Sequence, residues 1–286
     1  MKATKELMMP LGYYDVGATP FFALQADQRV SYCLYVPRAL AEAQDRSAWR
    51  LIVAMHGTGR TATTYRDKFA DLAERERCIV LAPLFPVGLI EPEELSNYKR
   101  LKFHDMRFDL LLLAMVDEVG RKYGIDVSRF LLFGFSGGGQ FVHRVFLLHP
   151  HRLAAVSIGA PGNVTLLDDT RDWWVGTRNL QAELGADVDL AAMRRVPVHM
   201  VVGAEDTETW EITLKPHHSA WMEGANDAGA TRIDRLATLK ANYEQHGIAV
   251  RQDIVPGIGH EGWKTLEPVI AFFTAVLQDG AKRSVA

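Results

Sequence analysis

The chain has 286 residues, 48% of them hydrophobic, and a formal net charge of −3. That size suits one large α/β domain with a sizeable core and argues against disorder. The slight acidity and the lack of a clustered basic patch argue against nucleic-acid binding. The first residues, Met1-Lys2-Ala3-Thr4, lack an apolar stretch that would read as a signal peptide. The longest apolar run, 110–116, is far too short to cross a bilayer. Cys33 and Cys78 both sit in strand-like apolar runs and read as buried free thiols. These features together predict a cytoplasmic protein without a membrane partner.

In chain order, residues 30–36 read as an early strand stopped by Pro37, and 51–55 as a buried strand ending at His56-Gly57. Residues 61–77 have helical spacing, and 79–82 read as the next strand. The polar, proline-bearing stretch 85–104 reads as a loop over one sheet end. Asp105 is placed to N-cap a helix that runs to about Tyr123 and stops at Gly124. Then come a strand over 129–135, a helix over 137–148 halted before Pro150, and a strand over 153–158. Residues 162–195, with Trp173-Trp174 and many charges, break the alternation and read as a small cap-like insertion. The pattern resumes with a strand over 198–202, a long helix over 225–246, a last strand over 248–255 and a helix after Gly262. Short apolar strands alternating with helices predict a mostly parallel central sheet with helices on both faces. No linker or repeat divides the chain, so 1–286 reads as one domain.

Gly134-Phe135-Ser136-Gly137-Gly138 fits the pattern G-x-S-x-G between a strand and a helix. A serine nucleophile must stand on a sharp turn with its hydroxyl exposed. Glycines flank it because a β-carbon there would meet neighbouring backbone. With 23 glycines in the chain, the pattern gains its weight from the strand before it and the helical spacing after it. His56-Gly57-Thr58-Gly59 follows an earlier strand and supplies the expected oxyanion loop. The Thr58 and Gly137 amides are the two predicted donors to a tetrahedral intermediate. His56 itself reads as a packed histidine bracing its turn.

On such a scaffold the order of residues is Ser, then an acid, then His. His260, between Gly259 and Glu261-Gly262 after the last strand, is the predicted base. His246 reads as a helix-end residue, His217 and His218 lie too early, and His149 and His151 flank Pro150. Asp206, in Gly203-Ala204-Glu205-Asp206 past a strand end, is the predicted acid, with Glu205 and Glu208 as fallbacks. Trp173, Trp174, Trp210 and Trp263 fall in segments expected near the same sheet end and are substrate-pocket candidates. No metal-ligand cluster and no cofactor motif is visible.

The stretch 103–162 carries further marks: His104-Asp105 before Phe108, Tyr123-Gly124-Ile125-Asp126, Arg129 leading into the Gly-Phe-Ser-Gly-Gly turn, and His149-Pro150 before Ala154-Ala155-Val156. In these the chain resembles the poly(3-hydroxybutyrate) depolymerase and feruloyl-esterase-like branch of the α/β-hydrolase superfamily. The resemblance implies the α/β-hydrolase fold, carboxylic ester hydrolysis without a cofactor, and a triad of Ser136, Asp206 and His260. Members acting on polymers are commonly secreted and disulfide-bonded, so a small-molecule ester is the expected substrate here. An acyltransferase or peptidase with the same triad, and a ligand receptor on a hydrolase scaffold, are the competing readings.

Overall fold

A computed structural model describes residues 11–285, with side chains described as far as Gly280. Nine strands form one mixed sheet: β1 (Gly17–Ala18), β2 (Phe22–Ala23), β3 (Ser31–Val36), β4 (Arg50–Met55), β5 (Cys78–Leu84), and, after a small β6/β7 hairpin (Lys102–Phe103 and Met106–Arg107), β8 (Phe130–Phe135), β9 (Leu153–Gly159), β10 (Val198–Gly203) and β11 (Val250–Val255). Their order is β1-β3-β5-β4-β8-β9-β10-β11, with β2 also paired to β3. β1, β2 and β5 run antiparallel to β3, and the pairs from β5 through β11 are parallel.

β8 is central and reads Phe-Leu-Leu-Phe-Gly-Phe, with every residue buried. Covered on both faces by helices, a parallel strand gains from apolar residues at every position rather than at alternate ones. The helices are α1 (Ala39–Glu42), α2 (Ala62–Lys68), α3 (Ala70–Glu76), α4 (Phe108–Tyr123), α5 (Gly137–Leu148), α6 (Leu180–Leu184), α7 (Leu190–Met193), α8 (Arg232–Gln245) and α9 (Leu266–Val285). None is long and apolar enough to cross a membrane among the described residues.

Several local expectations change. The helix expected over 61–77 breaks into α2 and α3 at Phe69, which is fully buried with its ring 5.4 Å from that of Phe133. Burying that ring outweighs helical continuity. Asp105 does not cap α4. It lies in the turn of the β6/β7 hairpin, and α4 begins at Phe108 without a side-chain cap. Asp109 holds the start of that helix instead, buried between Arg107 (2.7 Å) and His149 (2.8 Å). Gly124 does end α4, in the left-handed conformation at φ 64°. The helix expected from 225 starts only at Arg232. Gly229 has φ 139°, which a helix cannot include, and Thr231 and Asp234 form a capping box at the true start. Cys33 and Cys78 are buried and free, and burial pushes the Cys78 thiol up to about 12.

The strand registers align one edge of the sheet. Met55 pairs with Gly134, Gly134 with Ile158, Val201 with Gly159, and Gly203 with Val255. The turns leaving β4, β8, β9, β10 and β11 therefore emerge side by side. They carry His56–Thr58, Ser136, Ala160–Asn163, Asp206 and His260 respectively.

Candidate active site

Ser136 sits between β8 and α5 at φ 59° and ψ −118°. A non-glycine residue held there is strained, and such strain collects at functional positions. The turn closes because its glycines leave no room for side chains. A β-carbon on Gly134 would lie 2.5 Å from the Gly138 carbonyl oxygen, and one on Gly138 would lie 2.8 Å from the carbonyl oxygens of Met55 and His56. The Ser136 amide donates to the Gly159 carbonyl at 2.9 Å, which pins the turn to β9. Its side chain stands at the amino end of α5, where the helix presents donors and a partial positive charge.

The His260 imidazole meets Ser136 and Asp206 at its two nitrogens. Nε2 lies 2.9 Å from Ser136 Oγ and Nδ1 lies 2.6 Å from Asp206 Oδ2. A carboxylate accepts only, so the proton belongs on Nδ1 and Nε2 is left to accept from the serine hydroxyl. The Phe135 ring packs 4.9 Å from the imidazole, centre to centre. Two bonds tie the loops that carry the acid and the base: Ala204 N–H donates to Val255 O at 2.9 Å and Glu205 N–H to Ile258 O at 2.9 Å. Gly203 permits that approach, since a β-carbon there would collide with the Ile258 carbonyl.

Asp206 is buried, whereas Glu205 and Glu208 are exposed. All three lie in the turn and loop past the end of β10, and of them Asp206 is the one hydrogen-bonded to the imidazole. Its second oxygen accepts from Arg232 at 3.1 Å, and Arg232 also pairs with Glu211. Arg232 went unnoticed in the sequence because nothing local marks the first residue of α8 as a partner of a loop 26 positions earlier.

The 56–59 loop lies against the elbow. A β-carbon on Gly137 would lie 3.0 Å from Thr58 Oγ1, 2.7 Å from the Tyr98 hydroxyl and 2.9 Å from Lys99 Cε. His56 braces this region. Its Nδ1–H donates to the Gly57 carbonyl at 2.8 Å and its Nε2 accepts from the Phe85 amide at 3.1 Å. Both nitrogens of the neutral ring are thereby satisfied, and burial pushes its pKa down to about 3. His143, on α5, is bound the same way, between the Gly139 carbonyl and the Thr165 amide.

A cleft of about 60 Å³ opens over Ser136, walled by Thr58, Lys99, Arg100, Gln140, Asn163 and Arg232 among others. Trp173, Trp174, Trp210 and Trp263 are not among its lining residues. Trp174 is buried and stacks near Arg100 and Arg144, while Trp210 and Trp263 are exposed at 77% and 48%. Two roomier concavities, about 630 and 720 Å³, lie elsewhere. The larger opens at the opposite sheet edge, by Arg50, Arg129 and Ala154, and neither touches the Ser136 region.

The architecture is the α/β-hydrolase fold. Poly(aspartic acid) hydrolase-1 from Sphingomonas sp. KT-1 superposes with a TM-score of 0.70 at 22% identity, over 89% of this chain and 97% of that one. LpqC, a poly(3-hydroxybutyrate) depolymerase from Bordetella parapertussis, superposes with a TM-score of 0.67 at 22% identity, over 85% and 83%. A ferulic acid esterase gives 0.57 at 14% identity, over 90% and 96%. No protein-family model matches the sequence. No curated protein matches it either.

Proposed function

We propose that the chain is a carboxylic ester hydrolase that works through an acyl-enzyme on Ser136. The observation that carries this is the unbroken relay from Asp206 through His260 to a serine held at positive φ on a helix start. Esterases and a depolymerase among the structural neighbours support the same chemistry.

In this reading, His260 Nε2 takes the Ser136 proton as Oγ attacks the ester carbonyl. The oxyanion forms against the Gly137 and Thr58 amides. Asp206 holds the Nδ1 proton in place and stabilises the imidazolium. The imidazolium then protonates the departing alcohol. Water, activated by the same nitrogen, releases the acid and restores Ser136. The sequence of steps needs no metal or cofactor. Residues 162–195 act as the cap-like insertion of a single domain, with Gly162 and Asn163 reaching the cleft. The two free thiols suit a reducing compartment such as the cytoplasm.

A fluorophosphonate probe tests the reading. It should label one serine, Ser136→Ala should abolish labelling while the melting temperature holds, and a slow ester should leave an acyl group on the Ser136 peptide by mass spectrometry. Labelling that survives in Ser136→Ala sinks the assignment. Product analysis in the presence of competing alcohols and amines separates hydrolysis from acyl transfer. Labelling without any turnover favours the receptor reading.

A further inference from the structure

The 96–100 segment brings two cations to the Ser136 cleft, and both are short of partners. Lys99 is 9% exposed, its Cε reaches the amino end of α5, and among the described residues its Nζ bonds only the Ser96 hydroxyl, at 3.1 Å. Arg100 lies with its guanidinium 5.2 Å from the Trp174 ring centre, and its Nε is buried without a hydrogen-bond partner. Behind them Arg144 is fully buried. It donates to Thr165 Oγ1 and to the carbonyls of Lys99 and Gln140, and one terminal nitrogen has no partner. Among the described residues none of the three makes an ion pair.

That arrangement inverts the usual rule that buried charges are paired. Burial pushes the Lys99 amine down to about 8 and Arg100 down to about 10; Arg60 and Arg100 repel Lys99 through space while Glu211 and Glu94 attract it. The other cation of the cleft, Arg232, is already neutralised by Asp206 and Glu211. His218 completes the titratable lining. The cleft therefore offers two desolvated, unneutralised cations beside a nucleophile, with a third behind them. An anion entering it would gain charge-assisted hydrogen bonds from donors that burial has already largely desolvated.

We propose that Lys99 and Arg100, backed by Arg144, form a carboxylate-binding subsite, and that the ester cleaved at Ser136 carries a free carboxylate on its acyl or its alcohol part. The proposal rests on the hydrolase reading for its reaction, but the subsite can be tested without turnover.

Two matched ester pairs report on the two sides of the scissile bond. Monoethyl succinate against ethyl butyrate probes the acyl side, and 4-acetoxybenzoate against its methyl ester probes the alcohol side. At low salt one acidic ester should be preferred in kcat/KM by on the order of 10- to 100-fold. The preference should shrink as salt rises, collapse in Lys99→Met and Arg100→Met, and survive largely in Arg100→Lys. Circular dichroism and melting curves check the fold of each variant. In parallel, calorimetry on Ser136→Ala compares N-ethylsuccinamate with N-ethylbutyramide, and 4-acetamidobenzoate with acetanilide. One acidic ligand should bind more tightly, and Lys99→Met should remove the difference. Equal handling of acidic and neutral members in both pairs, by turnover and by binding, overturns the subsite while leaving the hydrolase reading intact. If no ester is cleaved and Ser136 resists the probe, the hydrolase reading fails. Calorimetry then decides the subsite alone, and equal binding overturns it.

Discussion

Arg232 makes Asp206→Asn a sharper test here than in a generic triad. The carboxylate has two faces: Oδ2 receives the His260 Nδ1 proton at 2.6 Å and Oδ1 receives the Arg232 guanidinium at 3.1 Å. An asparagine must choose which face gets its oxygen. Turning the amide NH₂ toward Arg232 sets donor against donor in a buried site, at a cost of about 1–3 kcal/mol. The oxygen therefore goes to Arg232 and the NH₂ to His260 Nδ1. The ring must then accept at Nδ1 and carry its proton on Nε2, the tautomer that cannot take a proton from Ser136. Together with the lost stabilisation of the imidazolium, kcat should fall on the order of 10³- to 10⁴-fold. The fold should persist, since an acceptor still meets the guanidinium. Adding Arg232→Met removes the bias, so the introduced amide can rotate and the double variant should recover roughly tenfold over Asp206→Asn alone. The assay is steady-state ester hydrolysis with active-site titration to count competent enzyme. A single variant retaining a tenth or more of wild-type kcat refutes Asp206 as the acid. A double variant as poor as the single one, or poorer, refutes the orienting role of Arg232.

Glu205→Gln should leave kcat within about threefold, because that side chain is exposed and it is Asp206 that bonds the imidazole; a crippled variant would transfer the acid role to it. Gly138→Ala should cost about 3 kcal/mol in urea unfolding, since its β-carbon would sit 2.8 Å from two backbone carbonyl oxygens that cannot move apart. A neutral result there would mean the elbow is looser than described. EDTA should leave activity unchanged, and loss restored by zinc or calcium would reveal a missed site. Stability should fall with acid. Burial depresses His56 to about 3, His199 to about 4 and His143 well below its ordinary value. Groups depressed in the folded state stabilise it fully above about pH 6.5, their unfolded value, and lose that contribution as pH falls toward 4. Each removes up to about 1.4 kcal/mol of stability per pH unit of acidification over that window, so urea midpoints at pH 7, 6 and 5 should drop progressively; a flat series contradicts the burial of these rings.

The parts of this site that the sequence makes legible are those tied to backbone geometry. Ser136 announces itself because a strand, a glycine-flanked serine and a helix follow one another within about a dozen residues. His260 and Asp206 follow from strand order, although they meet Ser136 and each other across 124 and 54 positions. The buried strands are equally plain, since β8 is apolar at every position and β4 and β9 carry only Arg50 and Ser157 as polar exceptions. What stays hidden depends on side-chain packing between distant segments. Lys99 and Arg100 look like ordinary charges in the polar stretch 85–104, and only the folded chain buries them against Ser136 and Trp174. The tryptophans look like pocket walls, yet Trp174 serves as the face on which Arg100 and Arg144 rest. Asp105 has the chemistry of a cap but loses the position to a hairpin, because local propensity is decided by the register around it.

A second set of the same three residue types shows which features matter. Ser157 on β9, His199 on β10 and Asp253 on β11 lie in a row across neighbouring strands. Ser157 Oγ is 2.8 Å from His199 Nδ1, and His199 Nε2 is 3.0 Å from Asp253 Oδ2. The carboxylate orients the ring and the ring faces the hydroxyl, as at Ser136. Yet Ser157 and His199 are fully buried, and the imidazole stacks 5.1 Å from Phe272 of α9. Ser157 lies within a strand, with no helix start beside it, no positive φ and no cleft for a carbonyl to enter. Hydrogen-bond distances alone would rank the two sets together; access and a place for the oxyanion separate them. Ser157→Ala should therefore keep probe labelling and turnover at wild-type levels, while lowering stability by about 1–3 kcal/mol as His199 loses the donor to its buried Nδ1. A loss of labelling in this variant, with the fold intact, would show that geometry around Ser136 is not what selects the nucleophile.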